Sequence, residues 1–229
     1  MKKFYAVFAT VAVVGFGIVG YTIGADRSAG VVSEPVDMEG MDETDVLRDL
    51  IRGAKLGSDD APITIIEFSD FQCPACAFFA QTVKPRLEET LIEPGRARFI
   101  FYDLPLVAIH PNAFLAARAA RCAEDQGQFW NYHDELYRRQ AQWGPLPNPA
   151  EALEGLAEEV GMDAREFGAC LNSDEHADLV SANLRLAEEL RIPGTPTVLI
   201  STDGQTSRAA PGFDYESIMA TVNEMTGSG

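Results

Sequence analysis

Basic residues are scarce: 18 lysines and arginines stand against 35 aspartates and glutamates, giving a net charge of −17 across 229 residues. Gripping a phosphate backbone needs clustered Lys and Arg, so this balance argues against nucleic acid as a partner, and solubility is the expected use of the charge. Histidine numbers only 3, and His110, His133 and His176 are not paired at ligand spacing. Cysteine numbers 4, with one CxxC, at Cys73 and Cys76. Zinc sites commonly take two such pairs, so a lone pair argues against metal. Ala77, following the second cysteine, excludes the CxxCH pattern of haem attachment. No internal repeat is apparent. A composition of 46% hydrophobic and 23% charged residues fits neither a wholly disordered chain nor a polytopic membrane protein. What remains is a globular chain with room for one domain of about 170 residues.

The first residues read as an address. Lys2 and Lys3 precede a stretch without charge from Phe4 to Ile23, long enough as a helix at ~1.5 Å per residue to span a hydrocarbon core. An uncleaved anchor over residues 1–25 is the expectation; the alternative is a signal peptide, for which Ile23-Gly24-Ala25 is a passable cleavage site. Either way the lysines stay cytoplasmic and the remainder is exported. All four cysteines would then lie in an oxidising compartment, periplasmic or otherwise extracytoplasmic, where disulfides persist.

Residues 26–53 read as an acidic tether followed by the short amphipathic stretch DVLRDLIRG. PITIIEFSDF, from Pro62, has the length and β-branched content of a strand. The helix after it begins at the cysteines, with Pro74 at its first position and Pro85 expected to kink it. A second strand, Ala97 to Leu106, completes a parallel β-α-β unit. From about residue 110 to 190 apolar residues recur at helical spacing, as in Leu115, Ala119 and Cys122, or Leu153, Leu156 and Val160. Asp163 and Glu166 make a capping-box pattern. TPTVLI, STDGQT and SRAAPG read as a strand, a turn and a partner strand, and DYESIMATVNEM as a closing helix. The fold class is therefore α/β, a β-α-β start, a helical block and a β-β-α end, in a folded domain over 54–229.

A disulfide closing so short a loop as Cys73 to Cys76 constrains the unfolded chain little, and is a poor staple. A redox couple uses every feature. Cys73 stands where strand gives way to helix, so unpaired N–H groups and the helix dipole stabilise its thiolate. Cys76, one turn further in, can attack a mixed disulfide formed at Cys73 and release the partner. Phe71, two residues before Cys73, is placed by proximity alone as a residue facing substrate. Glu67, on the strand, reads as an exposed alternation residue. His110 reads as a cap or packing residue at a helix start, and Phe129, Trp130, Tyr132 and Tyr137 as core. Cys122 and Cys170 fall on apolar helical faces; buried free thiols and a structural disulfide both fit, and an even remainder in an exported chain favours the disulfide.

These segments in this order, EFSDFQCPAC, then HPNAFLAARAARC, then GTPT ahead of a strand, resemble the DsbA-like branch of the thioredoxin superfamily over roughly Ala54 to Thr226. The resemblance implies a thioredoxin fold interrupted by an all-helical subdomain. It implies Cys73 as the exposed nucleophile, Cys76 as the resolving thiol, and Glu67 as an acid beneath the sulfurs that moves their protons. Thr195 and Pro196 are implied as a cis-peptide loop that pairs with extended substrate, beside Pro74 and Ala75. A second bridge in some relatives supports pairing Cys122 with Cys170. The implied activity is disulfide introduction into exported proteins by a monomer, with no soluble cofactor beyond the Cys73–Cys76 couple and with a membrane quinone-linked thiol reoxidase as partner. Reductase or isomerase action by the same couple, and non-covalent polypeptide holding, are the alternatives. Ala75 stands where strongly oxidising members often carry His, which implies a somewhat milder oxidant.

Overall fold

The computed structural model describes residues 31–38, 44–202, 204 and 206–227. The anchor expected over 1–25 lies outside the described residues, and among those described no helix is long and apolar enough to cross a membrane.

Five strands form one sheet in the order β1-β3-β2-β4-β5, where β1 is Ala54–Leu56, β2 Ile63–Ser69, β3 Ala97–Asp103, β4 Thr197–Ser201 and β5 Ser207–Ala209. β2 pairs in parallel with β3 and antiparallel with β4. That central place explains its nearly unbroken burial, which takes in Thr64, Glu67 and Ser69 with the apolar residues, since such a strand is covered on both faces. β1, three residues on the edge of β3, has no counterpart in the sequence reading; it is too short to carry a period.

Helix α1 is Thr44–Leu50. α2, over residues 74–92, alternates α-helical Pro74–Phe78, π-helical Phe79–Val83, α-helical Lys84–Leu87 and π-helical Glu88–Ile92. Pro85 has no N–H to donate, and the expected disturbance takes the form of a wider turn just before it: Lys84 N–H reaches back to Phe79 O. The widening turns Lys84 into the protein, where its ammonium meets Glu88 at 2.8 Å and Asp134 at 3.1 Å.

Six helices then form the block expected between 110 and 190: α3 Ala113–Asp125, α4 Phe129–Arg138, α5 Gln140–Trp143, α6 Ala150–Glu159, α7 Ala164–Leu171 and α8 Ala177–Glu189. α9, Tyr215–Thr226, closes the chain behind its Asp214 cap. At α7 the capping box is half made. Asp163 accepts the N–H groups of Arg165 and Glu166, but its own N–H goes to Gln126 instead of to Glu166. The block is tied to the sheet by a buried pair, with the Arg121 guanidinium donating twice to Asp103 Oδ2 at 2.6 and 2.8 Å while Asn183 donates to the same oxygen.

Cys122 on α3 and Cys170 on α7 form a disulfide, with Cα atoms 5.9 Å apart. One turn before Cys122, Arg118 is fully buried and donates to the carbonyls of Ser173, Glu175 and Val32. The last of these corrects the tether reading for 31–38. Val31, Val32 and Val36 pack against the core, and Val36 N–H donates to Ser181 Oγ at 3.0 Å. Buried carbonyl-seeking Arg118 needs that strand of chain, and nothing in the acidic composition of 26–45 reveals it.

Candidate active site

Cys73 caps α2 in extended conformation (φ −75°, ψ 124°), with Pro74 immediately inside the helix. An extended cap aims its side chain across the free N–H groups of the first turn, and proline there loses no bond. Cys73 is 8% exposed and Cys76 is fully buried. Three residues hold this turn. Buried Asp70 accepts Gln72 N–H at 2.7 Å and Leu106 N–H at 2.8 Å, and meets His110 Nδ1 at 2.8 Å. Gln72 accepts Asn112 N–H and donates to Gly144 O. From α5, Gln140 Nε2 donates to the carbonyls of Phe71 and Cys73. The helical block therefore fixes the mouth of the helix as firmly as the sheet does.

On the far side, the Thr195–Pro196 peptide bond is cis, and the Cys73 thiol donates to Thr195 O at 3.6 Å. Thr195, Pro196 and Ala75 are half-buried and Pro74 is exposed, so these four border the approach to Cys73. Phe71 does not. It is 1% exposed, packed in tilted and edge-on contact among Phe101, Tyr137 and His133 at 5.0 to 5.7 Å between ring centres. The expectation that it faces substrate is corrected: the polar bonds made by its neighbours Asp70 and Gln72 turn the intervening ring inward.

Glu67 is 1% exposed, opposite Phe101 on β3 and Val198 on β4, so the reading as an exposed alternation residue is also corrected. Burial pushes its carboxyl up to about 8, against the pull of a hydrogen bond from Ser69 and of the Lys84 charge. The Cys73 thiol moves the other way, down to about 5, chiefly through the hydrogen bond its sulfur receives from Cys76, with backbone N–H groups of the first turn adding to it. Cys76 is raised by burial first, then by its bond to Cys73 and the nearby Glu67 charge. Two sulfurs one turn apart are thus given opposite protonation habits. His133, buried among rings, falls to about 4 and is neutral at pH 7.

Several residues of this neighbourhood were not singled out from sequence. Ser69 could have been, because it lies two positions after Glu67 and a strand puts both on one face. Asp70 and Gln140 carry no local signal, and Tyr137 reads only as core, where it lies; their roles at the site depend on which helix returns to it.

A parallel β-α-β core with two vicinal thiols opening its first helix, faced by a cis-proline loop and interrupted by a helical block, defines a protein thiol-disulfide oxidoreductase. The family model described as Thioredoxin matches residues 51–211, and the chain belongs to that family, as a DsbA-like member of the thioredoxin superfamily. It is 33% identical over 161 residues to the probable disulfide bond formation protein D of Bacillus anthracis, covering 69% of this chain and 72% of that one. The disulfide bond formation protein D of Bacillus subtilis is 28% identical over 180 residues, 74% of this chain and 75% of that one. The crystal structure of oxidised BdbD from Bacillus subtilis superimposes with a TM-score of 0.67 at 25% identity, over 85% of this chain and 97% of that one. Wolbachia pipientis alpha-DsbA1 shares the fold at the same TM-score and 22% identity, over 80% and 96%.

Proposed function

We propose that this oxidoreductase works outside the cytoplasm and introduces disulfides into exported proteins through its CPAC turn. Cys73 is the sulfur attacked by a substrate thiolate, Cys76 the leaving and later resolving sulfur, and Glu67 the buried acid that neutralises it. Thr195, Pro196, Pro74 and Ala75 contact the substrate segment. Cys122–Cys170 is structural and takes no part in turnover. Residues 1–25 anchor the protein, or direct its export, ahead of the catalytic domain over 54–229, against which residues 31–38 pack. The enzyme acts as a monomer, with its redox-active dithiol as the only electron carrier, and a quinone-linked membrane thiol oxidase restores the disulfide.

The observation that carries the oxidising direction is the Cys73 sulfur at the helix mouth, held as a thiolate down to about pH 5. A stabilised thiolate favours the reduced enzyme, and a couple whose reduced form is favoured draws electrons from its substrate. Ala75 adds no charge to this, so the oxidising power rests on hydrogen bonds alone. Equilibration of the Cys73/Cys76 couple against glutathione is expected to give a potential well above that of strongly reducing thioredoxins. A value at or below theirs would assign the same couple to a reductase, and the proposed direction would be wrong.

A further inference from the structure

The proposal above leaves a physical problem beneath the sulfurs. When a substrate thiolate attacks Cys73 Sγ of the oxidised couple, a substrate–Cys73 disulfide forms, the Cys73–Cys76 bond breaks, and the electron pair goes to Cys76 Sγ. Cys76 is fully buried, and an unpaired charge there is costly. Glu67, the nearest acid, is also buried, so the proton needs a path through protein.

The path is a single hydroxyl. Ser69 Oγ donates to Glu67 Oε1 at 2.7 Å and lies 2.9 Å from Tyr137 OH, and it stands near enough to Cys76 for its hydroxyl to lower that sulfur's pKa against the rise from burial. Glu67 and Ser69 are two apart on β2 and therefore share its face, while Tyr137 arrives from α4 and Cys76 from α2. Ser69, Glu67 and Tyr137 are each 1% exposed. We propose that the Ser69 hydroxyl carries the proton between Glu67 and Cys76, with Tyr137 holding it in register. This rests on the reading of Glu67 as the acid.

Donor counting supports the arrangement in both states. With Glu67 protonated and Cys76 leaving, Glu67 and Tyr137 donate to Ser69 Oγ and the Ser69 proton points at Cys76 Sγ. After transfer, Tyr137 and the Cys76 thiol donate to Ser69 Oγ and the Ser69 proton points at the Glu67 carboxylate. Glu67, Ser69, Tyr137 and Cys76 each keep a partner before and after. Tyr137 is donor in both, and burial keeps its phenol from ionising. The balance is one proton from Glu67 to Ser69 Oγ and one from Ser69 Oγ to Cys76 Sγ. A second substrate thiolate then attacks the substrate sulfur, and Cys73 leaves as thiolate. The titratable groups facing this site are Cys73 and Cys76 from α2, Lys84 further along α2, Tyr137 from α4 and Asp70 beyond β2; the strand partners Phe101 and Val198 carry none.

The test is the rate at which the oxidised full chain reacts with a two-cysteine peptide, corrected for thiolate concentration and followed across pH. Ser69→Ala is expected to slow it at least ~10-fold at pH 7 and to remove the descending limb that Glu67 gives as it ionises, with the Cys73 thiolate titration of the reduced protein unchanged. Ser69→Thr, which keeps the hydroxyl, is expected to restore most of the rate. An unaltered rate in Ser69→Ala, or a Ser69→Thr as slow as Ser69→Ala, overturns the relay. Glu67→Gln separates the two readings. If it is slow and Ser69→Ala is not, only the relay fails; if Glu67→Gln itself matches the parent, the acid role fails too. Should Ser69→Ala not fold, Tyr137→Phe, which frees the Ser69 rotor, is expected to slow the step, and an unchanged rate there counts equally against the relay.

Discussion

Cys76→Ala is expected to accumulate covalent adducts with its substrates through Cys73, and to lose turnover altogether. The Cys73 sulfur is still at the helix mouth, with the free N–H groups of Ala75 and residue 76 to favour its thiolate. What the variant lacks is the second sulfur that displaces a captured partner. Because the bond from Cys76 is the largest cause of the depressed Cys73 pKa, the free Cys73 thiol of the variant, before it captures a partner, should also titrate higher than in the parent. Non-reducing gels of extracts exposed to the variant, developed with and without reductant, read the adducts directly. Cys73→Ala should form none. A Cys76→Ala protein that is folded yet free of adducts would mean that the domain holds polypeptides without exchanging sulfur with them.

Removing the other bridge should do the opposite, costing stability and leaving the chemistry intact. Cys122 and Cys170 are 48 positions apart, and closing a loop of that length restricts the unfolded chain by an amount worth about 3 to 4 kcal/mol. For a domain of this size the double change Cys122→Ala, Cys170→Ala should lower Tm by about 10 °C. The loss should not stop at the sulfurs. Cys170 begins the turn whose carbonyls, with that of Val32, receive the buried Arg118 guanidinium, so loosening α7 exposes a cation that has few other acceptors. Thermal unfolding and the exchange rate, measured on the same sample, check both halves. A fall in the rate out of proportion to the unfolded fraction would give this disulfide a part in turnover.

The features legible in the sequence are those written in neighbouring residues. A β-branched run, a proline at the first helical position and two cysteines one turn apart specify the strand, the helix and the sulfurs, because each depends on contacts within about ten residues. Glu67 shows where this ends. Alternation places it on one face of β2, but whether that face meets water depends on the helices packed over it, and Tyr137 of α4, which reaches the Ser69 hydroxyl beside it, comes 68 positions after that serine. Phe71 failed for a related reason: proximity to Cys73 along the chain said nothing of the rings of α4 that receive it. Gln140 and Tyr137, which hold the turn and the Ser69 hydroxyl, belong to helices whose return to the site is a property of topology. The segment 31–38 lies against the core through its valines and gives the Val32 carbonyl to Arg118, whose other acceptors come from the turn after α7, and acceptor demand of that kind leaves no pattern in the segment that answers it.

The central claim is that the Cys73 sulfur is ionised and reachable at neutral pH while Cys76 is neither. Alkylation of the reduced protein by iodoacetamide, followed from pH 4 to 10 with the modified residue located by mass, tests it in one experiment. The account predicts an inflection at about pH 5 and a label confined to Cys73. A rate that rises only near the ordinary thiol value of 9, or equal labelling of both sulfurs, would contradict it.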